Sequence, residues 1–157
     1  PRLRIHIAEA ARAEDIAVVH DGTYVCIEGP QFSSYAESMT YKQAGYSVIG
    51  MTNMPEAKLA REAELCYATV AMVTDFDCWH PDHESVTVDA VIKVLLENAG
   101  KARDTIRKAV PKLHADSKAV SCSCRSALAH ALVTAPEVRD PEMIKRLDAV
   151  AGRVLKS

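Results

Sequence analysis

The chain of 157 residues has almost no surplus charge: 19 Lys and Arg stand against 21 Asp and Glu, for a formal net charge of -2. Without a basic excess there is no field to hold nucleic acid or an anionic membrane surface. No apolar run approaches the ~20 residues that a membrane span requires. The opening Pro1-Arg2-Leu3-Arg4 is charged but leads into no apolar signal region. There are six glycines, and no Gly-x-Gly loop or P-loop among them. Internal repeats and low-complexity tracts are missing too. Pro1 stands where Met opens most chains, so the chain is expected to be processed, truncated or partly represented.

Cysteines are few and odd in number: Cys26, Cys66, Cys78, Cys122 and Cys124. Spread through apolar segments, they do not form the framework of a small secreted protein. Cys26 and Cys66 fall in expected strands, where a thiol packs as a small hydrophobe. Cys122-Ser123-Cys124 is a lone C-x-C without a second half-site or His at finger spacing. No metal is therefore expected there, and a buried or redox-labile thiol pair is the favoured reading. The expected compartment is the cytoplasm.

What is present is ordinary globular material: 48% hydrophobic and 25% charged residues over the length of one domain. Apolar spacing predicts a helix over Leu3–Ala13. Thr23–Glu28 reads as a strand stopped by Gly29-Pro30. Ser33 or Ser34 caps a helix running to about Ala44, with Glu37 closing a capping box on Ser34 and Gly45 ending it. Tyr46–Met51 is a second strand. Pro55 opens a third helix. Leu65–Val73, continuously apolar, reads as a third strand covered by helices. Val88, Val91, Leu95, Ala99, Ala102, Ile106 and Val110 form one helical stripe, with Pro111 as its stop. Two further helices are expected over Cys124–Val133 and Pro141–Leu155. Such alternation predicts an α/β layer.

In such sheets the ligand crevice lies at the carboxyl ends of the strands. Three loops stand there: Glu28–Ser34, Gly50–Glu56 and Thr74–Trp79. They offer Phe32, Met51, hydroxyls and a pair of carboxylates, a set that suits a flat heterocycle. Each residue also has a plainer reading. Phe32 and Met51 can be core fillers, Thr52 a helix cap, and Asp75 and Asp77 turn residues.

Three motifs carry a resemblance. Ile27–Ser38 resembles the EGPxFSSxAES segment of 5'-methylthioadenosine phosphorylases. Gly50-Met51-Thr52-Asn53-Met54-Pro55-Glu56 is similar to that family's MTxxPE segment, and Ala71–Trp79 to its AMxTD(Y/F)DCW segment. The likeness runs from Pro1 to about Val110 and fades from Lys112. It implies a nucleoside phosphorylase-like fold, a mixed β-sheet sandwiched by helices. Residues 1–157 would be the carboxy-terminal portion of one such domain, with 112–157 a helical tail.

The implied reaction is phosphorolysis of 5'-methylthioadenosine to adenine and 5-methylthioribose 1-phosphate, a purine and methionine salvage step that needs no cofactor and no metal. Negative charge builds on the departing purine, so a protonated carboxyl beside N7 serves as general acid. The resemblance gives that role to Asp75, with Asp77 holding the amino group. Two carboxylates so close are expected to titrate together. Phe32 packs on the base, with Ser33 beside it, Met51 lies against the ribose and Thr52 binds phosphate. Val88 and Val91 line the methylthio pocket or, equally, are core. His80 and His83 are read as a solvated loop. Relatives acting on inosine and guanosine place Asn at the position of Asp75 and Glu near Ser33, so 6-aminopurines are favoured here. Methylthioinosine or inosine/guanosine, or a non-catalytic base-binding or oligomerisation module, are the competing readings. The family's Gly-rich phosphate loop and Arg-His pair are not in this sequence, so these residues alone are expected to lack full activity. A homotrimer is implied, with no nucleic-acid or membrane partner.

Overall fold

The strand propensity of Tyr24-Val25-Cys26 and Val48-Ile49-Gly50 is realised as a parallel pair, β1 and β2, with Tyr24 opposite Val48 and Cys26 opposite Gly50. The computed structural model describes residues 2–80, 88–116 and 122–156. Its helices are α1 (Arg2–Arg12), α2 (Tyr35–Gln43), α3 (Glu56–Glu62), α4 (Val88–Asp116) and α5 (Pro141–Leu155). The chain divides into two bodies: Pro1–Asn53 with Thr69–Lys118, and Met54–Ala68 with Ala119–Ser157.

In the first body, α1 packs on α4. The contact is made by small residues: Ala8, Ala10 and Ala11 of α1 are buried, as are Ala109 and Thr105 of α4. Alanine lets two helix backbones approach closely and costs little side-chain entropy. Polar contacts stitch the rim: Lys108 Nζ pairs with Glu14 at 3.1 Å, and His6 Nε2 lies 3.0 Å from the Asp116 carboxylate. Helix α2 begins as its sequence requires. The Ser34 hydroxyl accepts from the Glu37 N–H, and the Glu37 carboxylate accepts from the Ser34 N–H at 2.7 Å. The Ser34 backbone N–H and then its hydroxyl hold the Glu37 carboxyl below its ordinary range.

In the second body, α5 spans the expected residues. Asp140 caps it by accepting from the Glu142 N–H at 3.1 Å, and Pro141 takes the first turn, where its missing N–H costs nothing. At the other end Arg139 donates to the Leu155 carbonyl.

Three expectations are corrected. Leu65–Val73 is extended but not a strand, because none of the described residues pairs with it. A strand exists only through its ladder, whatever its composition. The described strands form one parallel pair. Pro111 does not stop α4, which runs on to Asp116. Ser123–Ser126 is one 3₁₀ turn rather than the start of a long helix. Short polar side chains there compete with the backbone for hydrogen bonds. No described helix is long and apolar enough to cross a membrane.

Candidate active site

The first body holds the first and third loops and the Gly50–Asn53 part of the second, and side-chain contacts join these in pairs. Gly29 follows β1 with φ +72°, a left-handed conformation that favours glycine. A Cβ there would lie 2.6 Å from Met51 Sδ, so the missing side chain is the space the thioether fills. The first and third loops meet at Cys78. Its thiol donates to the buried Ser38 hydroxyl at 3.3 Å and lies 4.0 Å from the Ser33 carbonyl oxygen. The segment leading into the third loop is tied to the second by Thr69, whose hydroxyl donates to Asn53 Oδ1 at 2.6 Å.

The expected site residues sit on this frame with different degrees of commitment. Asp77 is used locally: its carboxylate accepts from the Cys78 N–H at 2.8 Å, as a turn residue does. Asp75 is exposed, and the hydrogen bond described for its side chain is from the neighbouring Thr74 hydroxyl at 2.6 Å. Thr52 does not cap α3, whose N-cap is Pro55 without a side-chain bond. Phe32 is 89% exposed, which excludes a core role for it within this chain. Met51 is half-buried. Ser33 presents the sharpest signal: its Oγ is buried and has no hydrogen-bond partner among the described residues. A buried hydroxyl left unpaired costs about 1–3 kcal/mol. Val88 opens α4 and Val91 lies one turn on, but their side chains lie outside the described residues. His83 lies outside them as well.

Sequence reading missed several residues that hold this frame. Asn98 of α4 is buried and donates to the Val73 carbonyl at 2.9 Å, fixing the chain just before Thr74 and Asp75. A polar residue on an apolar helical stripe was the available signal. His80 is not merely solvated: its ring packs on Phe76 at 4.5 Å and on Trp79 at 5.4 Å. Lys42 Nζ lies 3.5 Å from the Trp79 ring centre, a cation–π contact.

The second body gathers different chemistry. Glu64 takes both Arg153 Nη2 at 2.5 Å and Nε at 2.7 Å, and also accepts from the Leu128 N–H at 3.0 Å. The Arg153 hydrogen bonds, then the Leu128 N–H, hold its carboxyl below the ordinary range. In the same body, the sulfurs of Cys66, Cys122 and Cys124 lie within 4.8 Å of one another.

Comparison with known proteins covers residues of both bodies. Residues 1–111 match the family model described as the phosphorylase superfamily. The S-methyl-5'-thioadenosine phosphorylase of Bradyrhizobium diazoefficiens is 65% identical over 156 residues, covering 99% of this chain and 54% of that protein. A crystal structure of a methylthioadenosine phosphorylase from an antarctic soil metagenomic library aligns with TM-score 0.86 and 46% identity, over 96% of this chain and 53% of that one. A Schistosoma mansoni methylthioadenosine phosphorylase in complex with adenine aligns with TM-score 0.66 and 34% identity, over 82% and 49%. The chain thus spans about half the length of the relatives it matches.

Proposed function

The chain belongs to the phosphorylase superfamily, and from that premise we propose that it forms the purine and 5'-substituent side of a site for phosphorolysis of 5'-methylthioadenosine. The products are adenine and 5-methylthioribose 1-phosphate. The observation that supports this best is the tie, within one body, of residues from the three motifs and the segment before the third, through Gly29 against Met51, Cys78 against Ser33 and Ser38, and Thr69 to Asn53. The similar proteins named above, one of them in complex with adenine, agree with that reading.

The roles follow from the chemistry. Cleaving the glycosidic bond sends electrons into the purine, and a proton delivered at N7 neutralises them. Asp75 is the proposed donor, which requires that the bound base and its surroundings shut out water. Asp77 accepts from the 6-amino group. Phe32 offers its exposed face to the base, and the unpaired Ser33 hydroxyl takes a polar atom of the ligand. Met51 lies against the ribose, Thr52 binds phosphate, and Val88 and Val91 face the methylthio group. Phosphate is a co-substrate, and the reaction calls for no cofactor. In this reading, residues 1–157 form the carboxy-terminal portion of one phosphorylase domain, with 112–157 its helical tail. The protein works as a cytoplasmic homotrimer.

The test uses the longer protein that contains this chain. Phosphate-dependent release of adenine is compared with release of hypoxanthine from the 6-oxo analogue, before and after Asp75→Asn. The intact enzyme should favour the 6-amino substrate, and the substitution should erase that preference. An intact enzyme that prefers 6-oxopurines would overturn the assignment. A native turnover rate from the 157 residues by themselves would overturn the reading that they supply only one side of the site.

A further inference from the structure

Independently of that reaction, the structure assigns a zinc(II) site to Cys66, Cys122 and Cys124 in the second body. The spacing supplies the first argument. Cys66 Sγ and Cys122 Sγ are 3.5 Å apart, and the three sulfurs lie within 4.8 Å of one another. A disulfide would bring two of them to about 2.05 Å. Zinc–sulfur bonds of about 2.3 Å set a sulfur–sulfur edge of about 3.8 Å in a tetrahedron. The trio therefore stands apart as three thiols at near-coordination spacing. Cys66 is exposed, which leaves the fourth position to solvent.

The local backbone supplies the second argument, because it brings distant residues to one point. Cys122 is the cap of the 3₁₀ turn Ser123–Ser126, and its carbonyl accepts from the Arg125 N–H. That turn sets Cys122 and Cys124 beside each other. Cys66 arrives from 56 residues away in sequence. The clamp that delivers it is Glu64, two residues earlier, which accepts from the Leu128 N–H just beyond the turn and from Arg153 of α5. Glu64 holds φ +56°, a strained backbone for a residue with a side chain, and such strain persists where surrounding contacts over-determine it. The C-x-C is thus not a lone pair: the fold gives it a third thiol on a positioned segment.

Binding is a proton exchange. Three S–H bonds give way to three zinc–sulfur bonds, and three protons pass to water. No electron moves, and no oxidant is involved.

The full chain, reduced with a phosphine, is titrated with zinc(II), and separately with cobalt(II) as a coloured substitute. One equivalent should bind with release of protons, and cobalt should show an intense thiolate-to-metal charge-transfer band. Cys66→Ser should weaken zinc affinity by more than about 100-fold and remove that band. Cys26→Ser, in β1 of the other body, should leave both unchanged. Far-UV circular dichroism checks each variant. If Cys66→Ser does not keep its helix signal, Cys124→Ser is read in its place. The site is overturned if the reduced chain shows no charge-transfer band. It is equally overturned if the band survives loss of Cys66 in a folded variant, or disappears with Cys26→Ser.

Discussion

The two bodies spend their polar groups in opposite ways. In the second, Glu64 is fully engaged: both carboxylate oxygens are taken, by Arg153 and by the Leu128 N–H. In the first, the loops after the strands leave groups unspent. Ser33 Oγ is buried without a partner among the described residues, Asp75 faces solvent, and Phe32 exposes its ring. Folding alone rewards the first pattern and penalises the second, since unpaired buried hydroxyls and exposed aromatics both cost free energy. In the proposed reading, a ligand completes the pairing at Ser33 and Asp75. Side chains satisfied from within hold the architecture.

Breaking this contrast should hurt activity most where groups are unspent. Asp75→Asn in the longer protein should lower the rate of phosphate-dependent adenine release by about 10²–10⁴-fold while leaving Tm nearly unchanged. A large fall in Tm would instead place Asp75 among the architectural residues. Gly29→Ala tests the frame beneath. It forces a Cβ into the left-handed region and against Met51 Sδ, so stability should drop by about 1–2 kcal/mol in a urea titration, with a raised KM for nucleoside. Ser34→Ala removes the cap and its reciprocal bond to Glu37, and should cost about 1 kcal/mol by the same titration.

The smallest effect belongs to the second body and depends on pH. The Glu64 carboxyl is held below its ordinary value of 4.5, chiefly by Arg153. Its contribution is therefore fully present above that value and fades as pH falls through the lower, folded value. Urea midpoints followed from about pH 6 to pH 3 should show an acid limb that is shallower in Glu64→Gln. An unchanged limb would mean that the clamp adds nothing to stability.

Much of this was legible because it is local. Ser34 with Glu37, Gly45 after α2, and the span Pro141–Leu155 are signals read within a few residues, and each stands where expected. The loops at the ends of β1 and β2 followed from the same kind of reading. What failed depended on partners distant in sequence. The composition of Leu65–Val73 is that of a strand, yet pairing is a property of two segments. The plain readings of Thr52 and Phe32 failed for a related reason: capping and burial depend on where the next element begins and what covers the ring. Cys66 joining Cys122 and Cys124, and Asn98 reaching the Val73 carbonyl, are contacts that no spacing in the sequence encodes.

Pro111 inside α4 has a consequence for how that helix moves. A proline has no N–H to give the Arg107 carbonyl, so the hydrogen-bonded ladder has a missing rung there. The turn beyond it is fastened from outside: Asp116 is held by His6 Nε2 at 3.0 Å and by Arg2 at 3.6 Å, both on α1. Helix α4 is in effect two lengths spliced in register, with α1 as the splint. Amide exchange should follow the splice, with the amides of 112–116 opening together and ahead of the long stretch before Pro111. Loosening α1 should release the short length first, while the length that carries Asn98 keeps its place behind the third loop.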